Sequence, residues 1–415
     1  MYDSSTALGN RIFEPSGADR SHDMTINEEF STFSDTEIDE EDTSSGGAAP
    51  KPWDPKKIRI TTKNFTLREV VDQIKEKEID LAPDFQRDFV WKKRQRTRLI
   101  ESVLLGIPLP AFYFNQEADG TYQVVDGVQR LSTVSSFMSD HHVLDLEDLE
   151  YLKDLSGHVY STMDAAMTRR FRATQIVVHV IEPQTPDEIK YDIFGRVNTL
   201  GSPLSAQEIR HAMSKERSRS FLKRLVELPS FDEATENNFR RKLIDTETGW
   251  MRDGKRMTNR ELALRFCAFS DFSDVEYRRH ESLDAFLIDF TRRIDGRSDR
   301  GAAIDDTDLA RLERRFDQAM INAHQVLGKG AFRRWPPQET RRGPINRAIF
   351  ESQAIALARH PLSDLLPKAA EIANAFRRSF DDKDYTRAVT VGTGDPVAIV
   401  TRLDYTRKLL DRILK

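Results

Sequence analysis

Five consecutive residues, Asp126-Gly127-Val128-Gln129-Arg130, combine a carboxylate, a glycine, an amide and a guanidinium. Those types at that spacing suit an anionic ligand. Gly127 would let phosphates reach the backbone without a Cβ in the way, and Gln129 and Arg130 add side-chain donors. Asp126 could orient a ribose hydroxyl or a hydrated Mg²⁺, and Arg87 could close from the other side. An Asp-Gly pair is also a common turn, and an arginine in a first helical turn is usually solvated, so an ordinary turn is the competing reading.

The surrounding pattern says what must position these residues. Leu99, Ile100, Val103 and Leu104 share one face of an amphipathic helix stopped by Gly106 and two prolines. Two short apolar runs, 111–114 and 122–125, flank a Glu117-Ala118-Asp119-Gly120 turn and predict a β-hairpin. Leu131, Val134 and Phe137 then recur at helical spacing, so the pentapeptide falls on a strand-to-helix turn. Backbone amides point outward there and the helix dipole favours an anion. Upstream, Thr66 to Glu69 has capping-box spacing for a helix that ends before Ile79. Downstream, the β-branched run 176–181 predicts a strongly buried strand. A helix from Asp187 then leads into an Asn198-bearing turn, and Ser205 with Glu208 forms a second capping box. The Asn198 turn is placed to close over a ligand held at Gly127, or simply ends a helix in left-handed conformation.

Helix, Pro-flanked strand, turn, strand, then Asp-Gly-x-Gln-Arg opening a helix resembles the core of the ParB/sulfiredoxin-like fold. More closely, the chain resembles the GmrSD restriction endonuclease N-terminal domain family, through Phe85-Gln86-Arg87 with Trp91, the 126–130 signature and the segment from Phe194 to Glu208. The resemblance covers about residues 60 to 210. It implies nucleotide contacts from Gln86, Arg87, Gly127, Arg130, Arg196 and Asn198, with Mg²⁺ on Asp126 and Asn198. Catalytic roles would fall to Asp126, Gln129 and Arg130. The chain departs from the family at Val128, where glutamine is usual, which puts nucleotide turnover in question.

The chain has 415 residues, 38% hydrophobic and 32% charged, enough for two or three domains. Its net charge of −5 is uneven. The first fifty residues hold two arginines against twelve acids, so the remainder carries +5. We expect a disordered acidic arm over 1–52, a ParB/sulfiredoxin-like nucleotide-binding domain over 53–210 and a mostly helical domain over 211–415, an α+β chain overall. No segment reaches the roughly 18 uninterrupted apolar residues that a membrane span needs, and no secretory signal is visible. A lone Cys267 in an apolar setting suits a reducing cytoplasm and reads as core. His141-His142 reads as a surface loop. Beyond Ser205 apolar residues repeat every three or four positions, punctuated by basic clusters at 240–242, 278–280, 292–293, 333–334 and 341–342. Phe332 and Trp335 beside arginines would suit base stacking and phosphate contact. The Gly392-Thr393-Gly394 turn is weak evidence for a phosphate loop.

Related restriction proteins couple this N-terminal domain to a His-Me finger nuclease. No good candidate for that nuclease is visible here, His360-Pro361 being the nearest, so the chain reads as a stand-alone member. Walker, Cys-x-x-Cys and Gly-x-Ser-x-Gly motifs are missing, and the glycine turn lacks the cysteine of sulfiredoxin chemistry. The sequence therefore points to a cytoplasmic nucleotide-binding protein, with or without NTP hydrolysis, of a phage-defence or restriction system that acts on or senses DNA. The alternatives are a non-catalytic DNA-binding adaptor for a partner nuclease subunit and a metal-dependent nuclease.

Overall fold

The computed structural model describes residues 54–81, 91–145, 147–197, 204–242, 250–252 and 254–415. The acidic arm, Gln86, Arg87 and Asn198 lie outside the described residues. The class is α+β. A five-stranded sheet, β1 (Ile60–Thr66), β2 (Ile79–Asp80), β3 (Phe112–Gln116), β4 (Tyr122–Asp126) and β5 (Gln175–Ile181), has the spatial order β1-β5-β3-β4-β2. The β3–β4 hairpin is antiparallel, β3 runs parallel to β5, and the remaining pairs are β1 antiparallel to β5 and β2 parallel to β4. Strands β1 and β2 carried no clear signal of their own. β1 is exposed along most of its length, and β2 is only two residues long.

Helix α1 (Leu67–Lys75) starts at Thr66 with the expected capping box, Glu69 N to Thr66 Oγ1 at 3.2 Å. Helix α2 (Lys93–Leu105) ends on Gly106 at φ 81°, and α3 (Val128–Met138) follows the hairpin. With α4 (Ala165–Ala173) they cover one face of the sheet. Val70, Ile100, Phe112, Leu131 and Phe171 share that core. The other face packs on α5 (Asp187–Val197) and α6 (Ala206–Ala212), where Val125, Ile181, Phe194 and Ile209 meet. Strand β5 departs from its expected full burial. It alternates, and Val177 is 41% exposed.

Among the described residues eleven further α-helices follow: α7 (Glu216–Val226), α8 (Pro229–Ala234), α9 (Thr258–Phe269), α10 (Asp274–Tyr277), α11 (Leu283–Ile294), α12 (Asp306–Leu327), α13 (Arg347–Leu357), α14 (Leu362–Leu365), α15 (Ala369–Arg378), α16 (Lys383–Thr390) and α17 (Pro396–Leu414). One continuous apolar core holds most of them together. A small hairpin, β6 (Arg240–Lys242) with β7 (Trp250–Arg252), interrupts the run and was not foreseen. Through the core runs a chain of buried ion pairs. Glu261 meets Arg265 at 2.9 Å, Arg347 at 3.1 Å and Arg210 at 3.4 Å, while Glu351 pairs with Arg402 and, at 3.6 Å, with Arg265. Burial opposes the charge on Glu261, but Arg265, Arg347 and Arg210 outweigh it and hold its pKa down to about 2. Because Arg210 belongs to α6, this chain ties the sheet region to the helices.

Candidate functional site

The hairpin delivers the 126–130 segment through an irregularity. Tyr113 faces Asp126 and Phe114 faces Val124, so the register slips between them and Val125 has no opposite number. Such a bulge increases local twist and re-aims the chain that follows. Gly127 then takes φ 100° as the N-cap of α3, a backbone state that side chains resist. A second constraint acts on the same atom. A Cβ on Gly127 would overlap the ring of Phe112, whose Cε1 would stand 2.7 Å away. The room that the glycine leaves is therefore filled by Phe112.

Arg130 is the other surprise. Its Nη2 donates to Asp126 Oδ2 at 2.7 Å and to the carbonyl of Ala111 at 3.3 Å, its Nη1 donates to the carbonyl of Pro110, and the guanidinium stacks 4.2 Å from the centre of the Phe112 ring. Only 12% of its side chain is exposed. Burial lowers its pKa, and the Asp126 charge works against that shift. Arg130 thus closes the strand-to-helix turn over the start of β3. Asp126, one-third exposed, keeps an edge toward solvent. Gln129 accepts a hydrogen bond from the backbone N–H of Trp91 at 3.3 Å and so holds the entry to α2 against α3. Val128 is buried in the core, on the inward side of the same turn.

What the turn can offer a ligand is backbone. The amides of Val128, Gln129 and Arg130 precede the first intrahelical bond, Leu131 N to Gly127 O at 2.9 Å. The N-cap is a glycine and brings no side-chain acceptor to them. Arg196 lies in the last turn of α5, 79% exposed and paired with Asp192 at 3.0 Å. Phe194 and Val125 share one buried cluster, so that turn of α5 runs beside the end of β4. The structure thus gathers Asp126, Gly127, Gln129 and Arg130 in one turn, with α5 behind it. Sequence reasoning missed Pro110, Ala111 and Phe112 as the partners of Arg130. A contact twenty residues away leaves no periodic signal.

Other sequence readings change. His142 is buried and hydrogen-bonded to Thr97 Oγ1 at 3.2 Å, not a surface residue, and burial with Arg96 and Lys93 nearby lowers its pKa. Phe332 is fully buried, and one face of the Trp335 ring is covered by the Arg377 guanidinium at 4.1 Å. The basic clusters are largely neutralised from within: Arg240 by Asp232, Arg278 by Asp274, Arg292 by Asp187, Arg293 by Glu276, Arg334 by Glu339 and Arg342 by Glu236. Gly394 accepts from Tyr277 Oη at 2.6 Å, and Asp395 caps α17, which gives the glycine turn a structural role. Cys267 is buried, and burial pushes its thiol pKa up. Among the described residues no cluster of three or more His, Cys, Asp or Glu could hold a metal ion, and no helix is long and apolar enough to cross a membrane.

A family model described as the GmrSD restriction endonuclease N-terminal domain matches residues 67–214, from the start of α1 to just past α6. No curated protein matches the chain. The description sets a restriction-type, phage-defence context. Strands β2 to β5, the Asp-Gly-x-Gln-Arg turn and the capped α6 fall inside the matched span, β1 lies just before it, and residues 67–214 are similar to the GmrSD restriction endonuclease N-terminal domain family.

Proposed function

We propose that this protein is a nucleotide-responsive component of a restriction-type defence system, taking the phosphates of a nucleoside triphosphate on the first turn of α3. The observation that carries the reading is the glycine N-cap. Gly127 itself supplies no side-chain acceptor to the first turn at the positive end of an eleven-residue helix. Arg130 acts as a positioning residue that fixes Asp126 and the turn, in place of a phosphate clamp. Asp126 would hold Mg²⁺ as its one protein carboxylate, the rest of the shell coming from phosphate and water, which is how Mg²⁺ is commonly bound. Bound there, the ion would neutralise phosphate charge during hydrolysis. Gln86, Arg87, Arg196 and Asn198 are the remaining candidates for nucleotide contact. DNA and a partner nuclease subunit are the macromolecules this context suggests.

Calorimetric titration with ATP, GTP, CTP and UTP in Mg²⁺ tests the reading. One nucleotide is expected to bind, and at a hundred times its Kd to stabilise the protein by about 2.7 kcal/mol. If none of the four binds, the nucleotide reading is lost and the DNA-binding adaptor takes its place.

A further inference from the structure

The opposite end of the β3–β4 hairpin borders a cleft of about 550 Å³, walled by β2 and the start of β4 on one side and by α7 on the other. This volume is in the range of small-molecule sites, and the position, at the seam between the sheet region and the helices, is a common one for them. Ile74, Ile79 and Leu81 give the cleft an apolar wall.

Its polar wall contains two anomalies. Gln123 is 4% exposed and Arg219 7%, both line the cleft, and Gln123 Oε1 and Arg219 Nη2 are buried with no hydrogen-bond partner among the described residues. Buried polar atoms are nearly always partnered, so two orphans in one wall need an explanation. The guanidinium is not loose. Nη1 donates to Asp80 Oδ2 at 3.2 Å and Nε to the carbonyl of His211 at 3.2 Å, so the third nitrogen is held in place while lacking an acceptor. Lys77 and Lys215 join Arg219 in a lining that also holds Asp80, Glu117 and Glu216. Glu117, the acid nearest Lys215 at 3.5 Å, is already neutralised by Arg297 at 3.0 Å.

We propose that this cleft binds a small organic oxyanion. The anionic head meets Arg219 Nη2 and Lys215, a hydroxyl, amine or amide N–H on the ligand donates to Gln123 Oε1, and an apolar stem lies along Ile79 and Leu81. A charged acceptor suits the guanidinium because charge-assisted hydrogen bonds are the stronger kind. The site stands apart from the α3 turn and does not depend on nucleotide binding there.

Two probe classes separate the sources of such an anion: nucleoside monophosphates for a phosphate head and hydroxybenzoates for a carboxylate head. Each is titrated into the full chain by calorimetry, with Gln123→Leu and Lys215→Ala variants alongside. Saturable binding by one class is expected, weakened about tenfold or more by either substitution. The melting temperature of Gln123→Leu is expected to hold or rise, since the change removes a buried atom that lacks a partner among the described residues. Binding that ignores both substitutions puts the ligand elsewhere and overturns the proposal. So does the lack of saturable binding by either class, which leaves the orphans to water. A clear fall in the melting temperature of Gln123→Leu overturns it as well, by showing that the oxygen is satisfied in the protein alone.

Discussion

At the Asp126 end of the β3–β4 hairpin, the Arg130 guanidinium donates to one carboxylate and two carbonyls. At the other end, Gln123 and Arg219 keep buried atoms without partners among the described residues. The same two strands connect both places, yet they solve opposite problems. The first end carries the recognisable signature, and most of its side-chain chemistry is spent on holding the turn. The second has no signature and, among the described residues, leaves Gln123 Oε1 and Arg219 Nη2 unspent. A recognisable cluster of chemical groups is thus not by itself a set of ligand contacts, because a strand-to-helix turn with a bulge needs its own fastenings. At such a turn the ligand is left with the backbone.

Substitutions at the first end should therefore damage the fold before they damage binding. Gly127→Ala has the largest expected effect, because the new methyl group must enter Phe112 while the backbone stays at φ 100°. Strain and overpacking together should cost about 3 kcal/mol, read by denaturant unfolding. Arg130→Ala comes next. It strips three hydrogen bonds and the stack on Phe112, and about 2 kcal/mol of stability should be lost by the same measurement. If Arg130→Ala unfolds like the parent protein, the guanidinium is free for a ligand and the contrast between the two ends collapses. Gln123→Leu, at the far end, has the smallest expected effect on stability, and in the opposite direction.

Much of the framework was legible because it is local. The Thr66–Glu69 and Ser205–Glu208 capping boxes, the hairpin around Glu117 to Gly120 and the α3 start at Gly127 each depend on residues a few positions apart, and each formed where expected. Pairings across long stretches of chain were not legible. Glu101, on α2, is 2% exposed and accepts hydrogen bonds from the backbone amides of Glu150, Tyr151 and Leu152, organising a loop fifty residues away. The arginines of the helical region looked like open basic patches for the same reason, since the acids that neutralise several of them lie on other elements. Strand β1 was hidden because its residues face solvent and lack alternation, and only its pairing with β5 makes it a strand. The chemical types at 126–130 were readable, but their allocation between fold and ligand depended on Phe112.

Hydrogen exchange at the start of α3, with and without saturating nucleotide and Mg²⁺, addresses the central claim most directly. Our account predicts that the amides of Val128, Gln129 and Arg130, which precede the first intrahelical bond, become strongly protected when nucleotide binds. Nucleotide binding with unchanged exchange at those three amides would contradict it and place the phosphates away from the α3 turn.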